Sequence, residues 1–243
     1  MTKKYSIIIP IYNEEKRLGK LFNEISKINN DKFFFNKTEF ILVNDGSNDK
    51  SFFLIKNFIN KKNKNTDLKF INIKDNSGKG FALKRGVIIA KNEWIFTMDA
   101  DLSVNFNQIK EWFTKYKLKS NHAYFGSRSL KSSKVKTKIH RHIIRIILRS
   151  IVYLLIDNRI NDTQCGFKLY NKSYIQKIFP LLIEKGFVHD IEIIILLKRN
   201  KIKIKELPIK WVHYNNSKVR LFIDPIIFFF KIFYIFYKYK KKL

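Results

Sequence analysis

Short β-branched and aromatic runs alternate with amphipathic stretches through the first half of the chain. Ser6 to Ile9, stopped by Pro10, and Glu39 to Val43, Leu68 to Ile73, Trp94 to Met98 and His122 to Arg128 are each long enough for one strand. Their nearly unbroken apolar character predicts strands covered on both faces, as in a parallel sheet. Between them the spacing becomes helical. From Glu14 onward Leu18, Leu21, Phe22, Ile25 and Ile28 share one face, Ala82, Leu83, Val87 and Ile88 recur after the third strand, and Trp112, Phe113 and Tyr116 follow the fourth. Strands alternating with helices in this way predict an α/β protein with a doubly wound, mostly parallel sheet. Gly46 permits a tight turn after the second strand, and Ser47 is expected to cap the helix that follows.

The second half is patterned differently. Lys131 to Lys138 is a basic, loop-like stretch, and 139–156 predicts a helix with Arg141, Arg145 and Arg149 opposite Ile143, Ile147, Ile151 and Leu154. Such a helix either lies on an anionic membrane or docks on the sheet with a solvated basic face. After Asp162-Thr-Gln-Cys-Gly-Phe-Lys168 a short strand is expected. Helices near Asn171 to Phe179 and Asp190 to Lys198 follow, then an extended pair split by Pro208. The tail 221–243 is rich in Ile, Phe and Tyr but interrupted by Asp224, Pro225 and Lys231. A spanning helix needs about 20 mostly apolar residues. The tail therefore predicts an amphipathic helix at the membrane interface that ends in the basic run Tyr239-Lys-Lys-Lys-Leu243, with a span as the alternative. The expected organisation is one domain over 1–220, with a nucleotide-binding half 1–130 and an acceptor-binding half 131–220, followed by the membrane-associating segment 221–243.

Polar residues cluster where the first strands should end: Tyr12 to Glu14 after the first, Asp45 after the second, Lys79 between Gly78 and Gly80 after the third, and Asp99 with Asp101 after the fourth. In an open α/β sheet ligands bind at the carboxyl ends of strands. Side chains two apart on an extended segment point the same way, so Asp99 and Asp101 can converge on a hard divalent cation, Mg²⁺ or Mn²⁺, whose other ligands are water and phosphate oxygens. The bland reading of Asp-x-Asp is a solvated turn or a helix cap. Lys79 beside two glycines at a helix start favours an anion, although the P-loop pattern is absent.

The net charge of +29 implies a polyanionic partner, either nucleic acid, an anionic membrane or a phosphorylated substrate. Acidic residues at the strand ends disfavour nucleic acid, because a phosphate-backbone binder would place Lys or Arg there. A single cysteine, Cys165, excludes an intrachain disulfide and demands no oxidising compartment. The chain enters a strand directly after Met1-Thr-Lys-Lys, with no apolar signal region, so its bulk is expected in the cytoplasm.

Ile9-Pro-Ile-Tyr-Asn-Glu14, Val43-Asn-Asp-Gly-Ser47, Gly78-Lys-Gly80, Met98-Asp-Ala-Asp101, Gly126-Ser-Arg128 and Asp162 to Lys168 together resemble an inverting family 2 glycosyltransferase with a GT-A fold. Within that family the chain is similar to the polyprenyl-phosphate sugar transferases. Asp162 to Lys168, Phe187-Val-His-Asp-Ile-Glu192 and Trp211 followed by Ser217-Lys218 resemble the dolichyl-phosphate β-glucosyltransferase branch.

The resemblance implies a nucleotide-sugar pocket lined by Pro10, Tyr12, Asn13 and Glu14, with Asp45 accepting from the uracil or ribose, Lys79 neutralising the diphosphate, and Asp99 with Asp101 holding the metal. It implies an acceptor phosphate positioned by Arg128, Gln164, Lys218 and Arg220, and catalysis by Asp101, Arg128 and Asp190, with Asp190 where relatives place a base. Asp190 and nearby Glu192 also read as charges complementing a helix N-terminus. The donor is expected to be UDP-glucose, with GDP-mannose as the alternative, and the acceptor a polyprenyl monophosphate. The setting is the cytoplasmic face of a membrane, with tethering by 139–156 and 221–243. The Gln-x-x-Arg-Trp element of processive synthases is absent, which implies a single transfer.

Overall fold

A computed structural model describes residues 3–29, 31–34, 37–61, 67–136, 160–212 and 223–240. The expected basic helix 139–156, together with Ser217, Lys218 and Arg220, lies outside the described residues.

The predicted strands form. β1 (Tyr5–Ile11), β2 (Thr38–Asp45), β3 (Asp67–Ile73), β4 (Trp94–Thr97) and β5 (His122–Ser127) are interleaved with α1 (Glu15–Asn29), α2 (Ser51–Lys61), α3 (Lys79–Ile89) and α4 (Asn107–Lys115). β6 (Lys134–Lys136), β7 (Lys168–Asn171), α5 (Lys172–Ile178), α6 (His189–Arg199), β8 (Lys203–Pro208), β9 (Lys210–Val212) and α7 (Ile223–Lys240) follow. The main sheet has seven strands in the order β3-β2-β1-β4-β7-β5-β8, and β6 pairs with β9 apart from it. The order departs from a simple succession at one place. β7 enters between β4 and β5 and runs antiparallel to both, whereas β1 to β4 are mutually parallel and β8 is parallel to β5.

Alternation along the central strands builds two cores, one on each face of the sheet. Ile7, Ile9 and Ile11 of β1, with Phe40 and Leu42 of β2, pack with Leu18, Leu21 and Ile25 of α1 and Trp112 of α4. Ile8, Ile41 and Val43 point the other way, onto Ala82, Leu83 and Val87 of α3 and the apolar side of α6. Burying both faces explains why these strands read as unbroken apolar runs, since each residue has a core to enter.

Register then fixes the functional edge. Ile11 lies beside Asn44, Asp45 beside Ile73 and Ile8 beside Thr97, so β1, β2, β3 and β4 all end on one side of the sheet. One local expectation is corrected. Ser47 does not cap α2: its Oγ accepts from the N–H of Asn13, and the helix instead begins at Ser51, whose N–H donates to Asp49 Oδ1.

Candidate active site

The edge is stitched together before any ligand is considered. Asn13, at φ 50°, donates its N–H to Ser47 and accepts from the N–H of Asn48 on Oδ1, and Glu14 donates its N–H to Ser51 while its carboxylate meets Arg17 at 3.1 Å. The loops after β1 and β2 are thus bound to each other, with Pro10 and Tyr12 half-buried beside them. Asp45 is buried, and its carboxylate accepts from the N–H groups of Ser77 and Gly78 at 2.9 and 2.8 Å. That residue therefore builds the loop that delivers Lys79, in addition to any contact with a base or ribose. Gly78 sits at φ 99°, and a Cβ there would lie 2.5 Å from the Lys185 carbonyl oxygen, so both the turn and the close approach require glycine.

Lys79 opens α3, and its ammonium meets Asp99 Oδ1 at 2.5 Å. Burial works against the charge on Lys79, but Asp99, Asp190 and Asp101 outweigh it and raise the pKa above its ordinary value. Past β4 the chain turns sharply. Leu102 adopts φ 55°, a conformation a buried leucine takes only where its surroundings impose it, and Asp101 Oδ1 accepts from the N–H of Ser103. This turn sets Asp101 close enough to Asp99 for the two charges to repel. Burial first, and the Asp99 charge second, raise the Asp101 pKa. Gly166 underlies the pair. A Cβ at that position would sit 2.6 Å from Asp99 Cγ and closer still to Oδ2, so the missing side chain is the space the carboxylate occupies.

This donor set fits a hard divalent cation: two crowded carboxylates with no third His, Cys, Asp or Glu gathered beside them among the described residues. Mg²⁺ and Mn²⁺ sites of this kind are completed by substrate phosphates and water. A small recess opens against Asp99 and is lined by Ser103, Gly166 and Trp211.

Three of the residues singled out in the sequence are held by partners within the chain. Arg128 donates from Nε and Nη2 to the two oxygens of Asp162 at 2.7 and 2.8 Å, and its N–H donates to the same carboxylate. Its fork is therefore engaged, 5.6 Å beneath the Trp211 ring, as a clamp between the end of β5 and the loop before β7. Asp190 is paired with Lys168. Burial alone would raise its pKa, but the Lys168 ammonium it contacts, with His189 and Lys79, holds the carboxyl below its ordinary value. Glu192, in the first turn of α6 as expected, is wholly buried and accepts from the N–H groups of Ile183 and Glu184 and from the Tyr239 hydroxyl, so it also braces the preceding loop. Gln164 is half-buried in the loop between Asp162 and Gly166.

Lys168, Gly166 and Trp211 had no assigned chemistry in the sequence. A lysine inside an apolar run that must be buried is a legible anomaly, but its partner Asp190 is 22 residues away and comes near only through the insertion of β7.

Comparison with known proteins agrees with this geometry. The chain is 29% identical over 236 residues to the dolichyl-phosphate beta-glucosyltransferase of Saccharomyces cerevisiae, covering 91% of this chain and 70% of that protein. It is 30% identical over 230 residues to the Dictyostelium discoideum protein of the same name, with the same coverage, and 28% identical over 235 residues to the human one, covering 90% and 70%. Among solved structures, glucosyl-3-phosphoglycerate synthase from Mycobacterium tuberculosis in complex with UDP superposes with a TM-score of 0.67 at 14% identity, covering 96% of this chain and 79% of that one. A mannosyltransferase from Pyrobaculum calidifontis in complex with GDP-Man and Mn²⁺ superposes with a TM-score of 0.61 at 13% identity, covering 90% and 59%. At such identities these likenesses establish the GT-A fold. The family model for glycosyl transferase family 2 matches residues 6–179, which include Asp45, Lys79, Asp99, Asp101 and Arg128. A chain that places those side chains on one edge of a GT-A sheet is a glycosyltransferase, a member of glycosyl transferase family 2.

Proposed function

We propose that the protein moves one glucose from UDP-glucose to a dolichyl-type polyprenyl monophosphate, with inversion, at the cytoplasmic face of a membrane. The observation that carries the donor half is the Lys79 ammonium 2.5 Å from Asp99, with Asp101 two residues further along the chain, at the carboxyl edge of the parallel strands. The acceptor and the sugar follow from relatives named dolichyl-phosphate beta-glucosyltransferase, which align along most of the chain.

The chemistry suits the groups present. Lys79 places positive charge where the leaving nucleoside diphosphate gains negative charge, a preorganised electrostatic effect. Asp99 and Asp101 would hold Mg²⁺ or Mn²⁺, which would supply Lewis-acid neutralisation of the same diphosphate. The acceptor is a phosphate monoester whose second pKa is about 6, so it arrives ionised and attacks without a strong general base. That agrees with an Asp190 held ionised against Lys168. Attack on the face opposite the leaving group turns an α-linked donor into a β-linked product. Lys218 and Arg220 are the proposed acceptor-phosphate ligands, with Gln164 beside them, and the clamped Arg128 orients the loop that carries Gln164.

The reaction is tested by incubating the protein, in detergent, with radiolabelled UDP-glucose or GDP-mannose, a divalent cation and a polyprenyl phosphate. Label from UDP-glucose is expected in the organic phase. Label from GDP-mannose alone would overturn the sugar assignment, and label from neither would overturn the acceptor. Gly166→Ala provides a geometric check. Its methyl group must displace the Asp99 carboxylate, and transfer should fall between about ten- and a hundredfold, because misplacements near 1 Å cost up to that much. Unchanged initial rates in this variant would remove Asp99 from the site.

A further inference from the structure

We infer that the protein docks on an anionic bilayer through two elements at once, the outer face of α7 and the loop 181–187, so that the membrane plane lies against the loop that carries Lys79. The inference deepens the proposed function, on which it rests for the lipid nature of the acceptor.

α7 has two faces of opposite fate. Phe228, Ile232, Ile235 and Tyr239 are buried in the core that includes α6. Phe229, Phe230, Phe233, Tyr234 and Tyr237 face outward, with Phe230 at 68% and Tyr234 at 60% exposure. Phenylalanine and tyrosine crowded on an exposed helix face form a patch that a soluble surface does not maintain without a partner. With its inner face committed to α6, this helix cannot be drawn across a bilayer, and no described helix is long and apolar enough to cross one. The remaining geometry is a helix lying in the interface, with aromatic rings at headgroup depth and lysines reaching out to phosphates.

The second element adjoins it. Between the turn at Phe179–Leu181 and α6, Leu181, Ile183 and Phe187 are exposed, Phe187 at 56%. Lys231 of α7 pairs with Glu184 at 2.7 Å, its Nζ lies 3.6 Å from where a Cβ on Gly186 would be, and Glu192 ties the same loop to Tyr239. Loop and helix therefore form one continuous surface, along which Lys231, Tyr234 and Lys238 follow one another, the Lys238 ammonium 5.9 Å over the Tyr234 ring.

The occupant is identified by charge. Apolar rings bordered by Lys231 and Lys238, followed in sequence by Lys240, Lys241 and Lys242, on a chain of net charge +29, complement an anionic lipid surface. The same charge opposes pairing with a second copy. On its inner side the loop touches the donor site. Phe81 donates its N–H to the Lys185 carbonyl at 3.1 Å, and Gly78 and Gly80 pack against Lys185 and His189. A phosphate anchored in the interface thus reaches the site without its lipid leaving the bilayer.

Two paired variants of the full chain test this: Ile183→Ser with Phe187→Ser in the loop, and Phe230→Ser with Tyr234→Ser on the helix. Partition is measured by sedimentation with vesicles of phosphatidylcholine, with and without phosphatidylserine. Each pair should lower partition into phosphatidylserine vesicles at least about tenfold, because one buried aromatic side chain is worth more than that factor. Transfer to a short-chain polyprenyl phosphate dispersed in detergent should remain within about twofold of wild type, since none of the four residues has a place in the site. A loop variant that binds vesicles as wild type does would overturn the two-element surface. So would a wild type that ignores vesicles and forms a dimer that Phe230→Ser disrupts. Vesicle binding lost by both variants in a protein that transfers no sugar in detergent would support the surface and instead reject the proposed reaction.

Discussion

Replacing Asp101 by asparagine is expected to cut sugar transfer by about 10² to 10³-fold or more, the range seen when one preorganised charge-stabilising group is removed from an active site. The folded protein should survive. Asp101 is buried beside another carboxylate, and its Oδ1 accepts from the N–H of Ser103, a bond that an asparagine side-chain oxygen also accepts. Removing one of two repelling charges relieves strain in the metal-free protein, so the melting temperature should hold or rise slightly. The binding of Mn²⁺ with UDP, followed by calorimetry, should weaken in parallel with transfer, because asparagine keeps the shape and loses the charge that draws the cation. The same substitution thus separates a site built for charge from one built for packing. Wild-type turnover in Asp101→Asn, or loss of folding without any change in cation binding, would each make this carboxylate a structural turn residue.

The part of this site that was legible in the sequence was the part built locally. A run of apolar residues ending in a polar cluster predicts both a buried strand and the edge at which it stops, and parallel pairing of β1 to β4 brings Tyr12, Asp45, Lys79 and Asp99 to a common side. Gly78-Lys79-Gly80 is legible for the same reason, since a turn and a helix start are decided within a few residues. The long-range partners were not. Arg128 reads as a free cation at the end of a strand, and only the fold reveals that Asp162, 34 residues later, occupies its fork. Asp190 reads as a candidate base until Lys168 is found beside it. Both partnerships are hidden from the sequence for one reason. Periodicity gives the face a residue occupies but not the strand order, and β7, four residues long, sits between β4 and β5 where no local pattern announces it. Even at the start of α2 the expected cap is absent, because Ser47 was recruited by Asn13 from another loop, and Asp49 accepts from the N–H of Ser51.

The pair that escaped the sequence should be the one most costly to break. Lys168→Met removes the ammonium that contacts the Asp190 carboxylate and also donates to the Thr163 carbonyl at 3.0 Å, with both side chains nearly inaccessible. Removing one partner of a buried ion pair costs about 3 to 5 kcal/mol, since the other charge is left without compensation. For a chain of this size that lowers the melting temperature by roughly 6 to 20 °C. The pH dependence gives the loss a sign. In the wild type the Asp190 pKa is held below its ordinary value despite burial, so the stability it contributes is complete above that ordinary value and fades only as pH falls through the lowered one. Without Lys168 burial dominates, and the weaker support from His189 and Lys79 does not reverse it. The carboxyl then binds its proton more tightly folded than unfolded, and the variant loses stability as pH rises above the ordinary carboxylate range. The deficit measured by thermal melting should therefore be widest near neutral pH and narrow toward pH 4. Adding Asp190→Leu to Lys168→Met should return much of the lost stability, because a well-packed apolar pair replaces a buried charge that has no partner. A Lys168→Met protein that melts with the wild type at every pH would mean that the two side chains do not meet, and with that the placement of β7 and α6 against each other would fail.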